Sequence, residues 1–203
     1  MTRLVSQLLK IAVTDRLVVD VASVADPAAA CRAVVEALAP LAIRTRTDLG
    51  LAVGPVALVE LLAIRGEDLF QIVRNLVDTA IDHTGLDTTI DVRVLANGAT
   101  MVNDNGSGIP EELQGEMFKR FWRRNRSGNH WAGLGLAIVQ RLVETHGGSV
   151  RLQSADGAGS SFTVTIPQAG SMSGREMRDI HRAAFSTGLI GLGGGSAMTA
   201  RTP

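Results

Sequence analysis

The order of short motifs between residues 104 and 136 limits, more than any other feature, what this chain can fold into. An acidic glycine turn, Asp104–Gly108, is followed by a segment with Phe118 and Phe121 and then by a second glycine turn, Gly133–Gly135. A predicted helix that carries Asn75 precedes all three. Each motif alone is weak, but the four in this order are the parts needed to hold a nucleotide without a P-loop.

The composition narrows the class of protein. The 203 residues suggest one domain with extensions, since a domain has ~150 residues on average. An apolar fraction of 45% with 3% aromatic residues predicts an aliphatic core. A net charge of zero argues against nucleic acid as the main partner. The single cysteine, Cys31, excludes an internal disulfide and suits a reducing compartment, and we expect it to be a buried small hydrophobe.

Hydrophobic periodicity and turn residues divide the chain into elements. Helices are predicted over residues 2–13, 26–41, 68–81 and 135–145, with a helical turn at 111–112. Strands are predicted over residues 46–53, 56–61, 89–96, 100–103, 149–154 and 161–166. Asn97–Gly98 predicts a hairpin, and Pro167 ends the folded pattern. No apolar stretch reaches the ~18 residues of a membrane span, so we expect a cytoplasmic segment without membrane contact.

The predicted helix over residues 68–81 carries a polar face beside its apolar one. Asn75, Thr79 and Asp82 are four and three residues apart and therefore share a face. Such a face at the edge of a cleft suits a Mg²⁺ ion over phosphates, because Mg²⁺ prefers oxygen ligands and keeps several waters. A solvated helix face has the same spacing, and for this helix alone it is the simpler interpretation.

The turn at Asp104 bears on the choice between a ligand site and a solvated helix face. A carboxylate at a strand end can accept a hydrogen bond from an exocyclic amine such as that of adenine, and Gly106 and Gly108 clear room for the flat base. An ordinary Asp-Gly loop has the same sequence, so this turn alone leaves both interpretations open.

A basic segment and a second glycine turn follow. The basic residues are Lys119, Arg120, Arg123, Arg124 and Arg126. A mobile basic loop can close over phosphates, although such runs are usually solvated surface. Gly133–Gly135 then opens a helix, whose free N–H groups suit a phosphate. Phe118 and Phe121 are predicted to anchor the loop to the core.

These motifs resemble those of the catalytic and ATP-binding domain of bacterial sensor histidine kinases, within the wider gyrase, Hsp90 and MutL type of ATP fold. Residues 75–80, 104–110, 117–123 and 133–139 resemble that family's asparagine box, first glycine box, Phe box and second glycine box. By this resemblance, residues 1–13 look like the remnant of a dimerisation helix and residues 14–167 like the ATP-binding domain. Residues 168–203 are expected to be a flexible tail, in part a cloning remnant if Gly170–Met172 is not there by chance.

The resemblance implies an α/β two-layer sandwich, in which helices pack on one face of a mixed β-sheet and the nucleotide site lies under a mobile lid. It implies ATP and Mg²⁺ as cofactors, with Asn75 at the metal and with Asn75 and the lid residue Arg123 as catalytic residues. The implied nucleotide contacts are Asn75, Thr79, Asp104, Gly106, Gly108, Ile109, Gly133, Leu134, Gly135, Leu136 and Ser160.

The reaction that the resemblance implies is transfer of the γ-phosphoryl group of ATP to a histidine, and then to an aspartate of a response regulator. None of the four histidines, at positions 83, 130, 146 and 181, stands at the start of a suitable upstream helix. We therefore expect the acceptor on a separate histidine-bearing dimerisation domain. Parent proteins of this family are often membrane-anchored.

Three positions depart from the family pattern. Thr79 stands where a second Asn is usual, Asp82 where a basic residue is common, and Trp131 where Gly is frequent. A carboxylate near phosphates repels them unless a cation offsets it. Two alternatives therefore stay open: a degenerate, non-catalytic scaffold or phosphorelay module, and a serine kinase of the anti-sigma-factor type. Asn75 takes the place of the Glu base of related ATPases, which favours phosphotransfer over hydrolysis.

Overall fold

A computed structural model describes residues 23–54, 61–119 and 133–170. Its elements in chain order are α1 (Pro27–Arg44), β1 (Asp48–Val53), α2 (Gly66–Thr84), β2 (Thr89–Val94), β3 (Thr100–Asp104), α3 (Glu111–Gln114), α4 (Gly135–Thr145), β4 (Ser149–Ser154) and β5 (Ser160–Thr165). The predicted helix at residues 2–13, the first five residues of the predicted strand 56–61, the lid and most of the predicted tail lie outside the described residues.

The strands form one mixed sheet in the order β1-β2-β3-β5-β4. Strands β1 and β2 are parallel, and the other neighbours are antiparallel. Side chains alternate between the two faces: Ile90, Val92 and Val94 are buried, whereas Asp91 and Arg93 point to the open face. Helices α1, α2 and α4 pack on the buried face, which confirms the predicted sandwich.

Helix α1 begins where the sequence predicts and ends later. The Asp26 carboxylate accepts a hydrogen bond from the Ala28 N–H at 2.8 Å, and Pro27 occupies the first helical turn. The predicted end at Leu41 is wrong, because the helix continues through Pro40 to Arg44. Pro40 removes one N–H from the ladder, but the Thr45 N–H still closes the next turn on the Leu41 carbonyl at 3.0 Å.

A buried hydrogen bond joins the start of α2 to the end of α4. Asp68 Oδ2 lies 3.1 Å from His146 Nε2 and 2.9 Å from Arg65 Nε. Burial pushes the pKa of Asp68 up, but the hydrogen bonds from His146 and Arg65 outweigh it and hold the pKa below its usual value. The sequence pattern did not predict this contact, which helps to hold the two helices beside each other.

The core is aliphatic, as predicted, and Phe162 is the largest fully buried side chain among the residues that the structure describes. Cys31 is fully buried, also as predicted, and burial raises the pKa of its thiol to about 12. Within residues 23–54, 61–119 and 133–170, no helix combines the length and the apolar character that a membrane crossing requires.

Backbone pairing continues beyond Pro167, where the pattern predicted an end. Leu62 forms bridges to both Ala25 and Gln168. The Ala169 N–H donates to the Leu61 carbonyl at 2.8 Å. The described part of the predicted strand 56–61, which is Leu61 alone, is not in a strand.

Candidate functional site

An open pocket lies between the second half of α2 and the adjoining ends of β3 and β5. Its empty volume is about 430 Å³, a figure that includes open solvent at its mouth. It is lined by Thr79, Ala80, His83, Thr84, Asp104, Ser107, Gly108, Ile109, Met117, Ser160 and Phe162. Five of the predicted nucleotide contacts therefore share one cavity.

Asp104 is the last residue of β3, and the sheet register places it opposite Ser160 of β5. Its Oδ1 accepts a hydrogen bond from the Gly106 N–H at 2.9 Å, and the backbone N–H and hydroxyl of Ser160 lie near enough to favour its ionised form. Burial raises the pKa of Asp104 despite these three donors. A carboxylate has about four acceptor positions, so it can still accept a bond from a ligand amine.

The two glycines of this turn are needed by the protein's own packing. A Cβ on Gly106 would lie 2.7 Å from Cγ2 of Thr84. Gly108 has a φ of +68°, and a Cβ there would lie 1.8 Å from the Ala155 carbonyl oxygen. The space that we expected to admit a flat base is therefore occupied by the end of α2 and by the β4–β5 turn. A contact of either glycine with a nucleotide stays a prediction.

Side-chain hydrogen bonds tie the first glycine turn to the β4–β5 hairpin. The Ile109 N–H donates to Ser154 Oγ at 2.8 Å. The Gln114 amide donates to the carbonyl oxygens of Ile109 and Ser154 at 2.9 and 3.0 Å. Ser154 and Gln114 were not predicted, because their contacts join distant segments and no local pattern signals them.

Asn75 is buried, with 5% of its surface exposed. A solvated helix face is therefore the wrong interpretation for this residue, and the polar face does not lie wholly beside the apolar one. Its Oδ1 accepts a hydrogen bond from Gln71 Nε2 at 2.9 Å. Its Nδ2 is buried and has no hydrogen-bond partner among the residues that the structure describes. Buried donors are nearly always paired, so a ligand acceptor is a natural partner.

The rest of the predicted polar face on α2 behaves differently. The Thr79 hydroxyl donates to the Asn75 backbone carbonyl at 2.6 Å, so its proton is already used, and only its lone pairs are available to a ligand. Asp82, one turn further along, is exposed.

The second glycine turn leads into α4 beside this part of α2. A Cβ on Gly135 would lie 3.6 Å from Thr79 Oγ1 and 3.9 Å from the Asn75 carbonyl oxygen. Gly133 has a φ of +66°, and the side chains of Leu134 and Leu136 are buried in the core. Only the backbone of this turn, at the N-terminal end of a helix, is thus suited to face an anion.

The described residues offer little to a metal ion. They hold no group of three or more His, Cys, Asp and Glu side chains that could bind one. Asn75 Oδ1 is a neutral oxygen on the predicted polar face, and it already accepts a hydrogen bond from Gln71. Such a donor set fits Mg²⁺ only if phosphates and waters supply most of its ligands.

Several pocket residues were not predicted from the sequence, and some predicted residues lie outside the described ones. His83, Thr84, Met117 and Phe162 line the pocket but were not predicted as contacts. Phe118 packs half-buried against the core, as predicted. Arg123, Phe121 and the rest of the basic loop from residue 120 to 132 lie outside the described residues.

Comparison with known proteins agrees with this fold. A model of the family described as histidine kinase-, DNA gyrase B-, and HSP90-like ATPase matches residues 65–170. The heme sensor protein HssS of Staphylococcus haemolyticus is 36% identical over 115 residues, which are 54% of this chain and 25% of that protein. The probable sensor histidine kinase TcrY of Mycobacterium tuberculosis is 40% identical over 108 residues, 50% of this chain and 22% of that protein. The matched part thus spans a quarter or less of these relatives.

Solved structures show the same architecture. The mycobacterial sensor histidine kinase MprB superposes with a TM-score of 0.56 at 25% identity, over 68% of this chain and 93% of that one. The nucleotide-free catalytic domain of histidine kinase ThkA superposes with a TM-score of 0.62 over 72% of this chain and 95% of that one, and at 24% identity it supports the fold alone. Because the family model covers more than half of the 203 residues, the chain belongs to the histidine kinase-, DNA gyrase B- and HSP90-like ATPases, as a histidine-kinase-type ATP-binding catalytic domain.

Proposed function

We propose that residues 14–167 are the ATP-binding kinase module of a two-component system. The γ-phosphoryl group of ATP is transferred to a histidine on a separate dimerisation domain and passes from there to an aspartate of a response regulator. The named relatives are sensor proteins and sensor kinases, which supports this class of reaction, although each is matched over only a part of its length.

The observation that carries the proposal is the Asp104 carboxyl in its pocket. Ile109, Met117 and Phe162 provide apolar walls for a flat ring, and Asp104 with Ser160 forms a polar end. A purine with an exocyclic amine meets both requirements, because its faces are apolar and its amine donates to the carboxylate. Thr79, Gly106 and Gly108 complete the proposed base contacts.

The phosphates are proposed to lie toward the N-terminus of α4. Backbone groups of Gly133, Leu134, Gly135 and Leu136 offer donors there. Asn75 is proposed to act near the phosphates and Mg²⁺, and Arg123 to act from the lid. Mg²⁺, when bound, neutralises phosphate charge, and the residues of the chain position the nucleotide, as phosphoryl transfer requires.

A degenerate scaffold is the second candidate, and two observations favour it. The Thr79 hydroxyl already donates to the Asn75 carbonyl. Thr79 stands where an asparagine amide is usual, and its hydroxyl is therefore a weaker group for binding a ligand. Asp82 is exposed near the same helix face and adds negative charge. Such a module binds nucleotide poorly or transfers no phosphate.

Labelled ATP separates the candidates. The native chain is incubated with γ-labelled ATP, Mg²⁺ and a histidine-bearing dimerisation domain of a related sensor kinase. The proposal predicts acid-labile label on that domain, and none with Asp104→Ala. Asp91→Ala, on the open face of β2, is the matched control and keeps the transfer. Acid-stable label indicates a serine kinase instead, and a chain that binds ATP without any transfer indicates the scaffold.

A further inference from the structure

The side chains of Gln71 and Asn75 form an amide pair one turn apart on α2. Gln71 Nε2 donates to Asn75 Oδ1 at 2.9 Å. This leaves Asn75 Nδ2 as the atom that is buried without a partner among the described residues. Asn75 Cβ and its carbonyl oxygen each lie 3.9 Å from the position that a Cβ on Gly135 would take, so the residue that carries the unpaired donor borders the proposed phosphate region.

An amide pair of this kind can be made in two ways. In the observed pairing the Gln71 nitrogen meets the Asn75 oxygen, and Asn75 keeps an N–H for another partner. In the reverse pairing the Asn75 nitrogen meets the Gln71 oxygen, and Asn75 keeps its carbonyl oxygen. An N–H suits a phosphate oxygen, whereas a carbonyl oxygen suits Mg²⁺. The pairing therefore determines which ligand atom Asn75 can bind.

We propose that Gln71 is a positioning residue of the nucleotide site, and that it holds the Asn75 amide so that Asn75 donates to a phosphate oxygen and does not ligate Mg²⁺. The inference rests on the proposed function and differs from it on one point, the role of Asn75. It implies that Asn75 itself contributes little to the Mg²⁺ dependence of nucleotide binding by this chain.

Two variants change the pairing without touching the pocket. Gln71→Glu replaces the amide by a group that only accepts, so Asn75 must turn its N–H groups to the carboxylate and present its oxygen to the ligand. Gln71→Met keeps the length of the side chain and removes its hydrogen bonds, so Asn75 is free to present either atom. Gln71 is half-buried, and thermal unfolding checks that both variants fold.

The readout is the ratio of two dissociation constants for a non-hydrolysable ATP analogue, one in EDTA and one in excess Mg²⁺, both by titration calorimetry. We expect the ratio of the native chain and that of Asn75→Ala to agree within a few-fold. Gln71→Glu raises the ratio by about tenfold, the effect of about one hydrogen bond, and Gln71→Met gives an intermediate value. In an Asn75→Ala background Gln71→Glu has no effect on the ratio, which separates positioning from the added charge.

Each other outcome overturns the inference. A large native ratio that Asn75→Ala abolishes makes Asn75 a metal ligand. Ratios that are the same in the native chain, Gln71→Glu and Gln71→Met show that Gln71 does not position Asn75. A shift by Gln71→Glu that persists in the Asn75→Ala background shows a charge effect alone. A folded native chain that binds no nucleotide in either buffer overturns the proposed function, and the inference with it, so the two failures are distinguishable.

Discussion

At the scale of single residues, the proposed role of Asp104 in nucleotide binding would come at a cost to the fold. Its carboxyl group is partly desolvated, and burial raises its pKa although the Gly106 N–H donates to it and Ser160 also favours the ionised form. A raised pKa in the folded state means that the ionised form is less favourable there than in the unfolded chain. A ligand amine that donates to the carboxylate offsets this cost, as is typical of groups in binding sites.

Asp104→Asn is therefore expected to stabilise the chain while it weakens nucleotide binding. The folded native chain binds more protons than the unfolded one between the unfolded pKa of about 3.9 and the raised folded pKa, so its stability falls as pH rises through that window. The variant has no ionisable group at position 104, so its stability does not fall with pH for this reason. Urea unfolding should show a higher free energy of unfolding for the variant at pH 7 than for the native chain, and a smaller difference near pH 4. Asp91→Asn, on an exposed side chain of β2, is the control. A variant that is less stable at pH 7 would contradict the account.

At the scale of elements, the turn between β3 and α3 is held between two other segments. Gly108 touches the β4–β5 turn and Gly106 touches the end of α2. The turn thus places Asp104 and Ile109 together, and its shape depends on contacts that are distant in sequence.

Gly108→Ala is expected to destabilise the fold strongly. A left-handed φ alone costs a non-glycine residue roughly 1–2 kcal/mol, and here the new Cβ would also overlap the Ala155 carbonyl, 1.8 Å away. Gly157→Ala is the matched control, because Gly157 also has a positive φ, +75°, but nothing lies within 4 Å of its Cβ position. Chemical denaturation of both variants measures the difference. Equal losses of stability in the two variants would contradict the close approach of Gly108 to the β4–β5 turn.

Asp68→Asn tests the contact between α2 and α4. Loss of the ionised acceptor is expected to lower the free energy of unfolding by about 1–3 kcal/mol at neutral pH. The folded pKa of Asp68 is lowered, so its stabilisation is present above the unfolded pKa of about 3.9 and is lost as pH falls through the folded value. The two unfolding curves should converge in acid. Asp87→Asn, in an exposed pair with Arg46, should change the stability by less than about 1 kcal/mol. An equally small effect of Asp68→Asn would mean that the contact between Asp68 and His146 does not stabilise the fold.

Local signals predicted the elements well and their ends less well. The bounds of α4 and β4 match the prediction, because Gly135 and the pair Gly147–Gly148 mark sharp turns. The end of α1 was wrong, since Pro40 costs a hydrogen bond without ending the helix. The burial of Asn75 was also missed, because helical spacing gives relative directions and not the depth of the neighbouring helix.

At the scale of the whole molecule, the resemblance of the four motifs to a known family implied the sandwich, and the comparisons confirm it. The strand order β1-β2-β3-β5-β4 could not be derived from local patterns. It places β5 beside β3, and so brings Ser160 opposite Asp104. The resemblance implied both residues as contacts, but only the sheet register gives the reason that they lie side by side.

The central claim is that the pocket at Asp104 binds ATP. Titration calorimetry of ATP with Mg²⁺ on the native chain, Asp104→Ala and Asp91→Ala tests it most directly. The account predicts binding in the micromolar range by the native chain and by Asp91→Ala, and its loss in Asp104→Ala. A folded native chain that gives no heat of binding, or an Asp104→Ala variant that binds as tightly as the native chain, would contradict it.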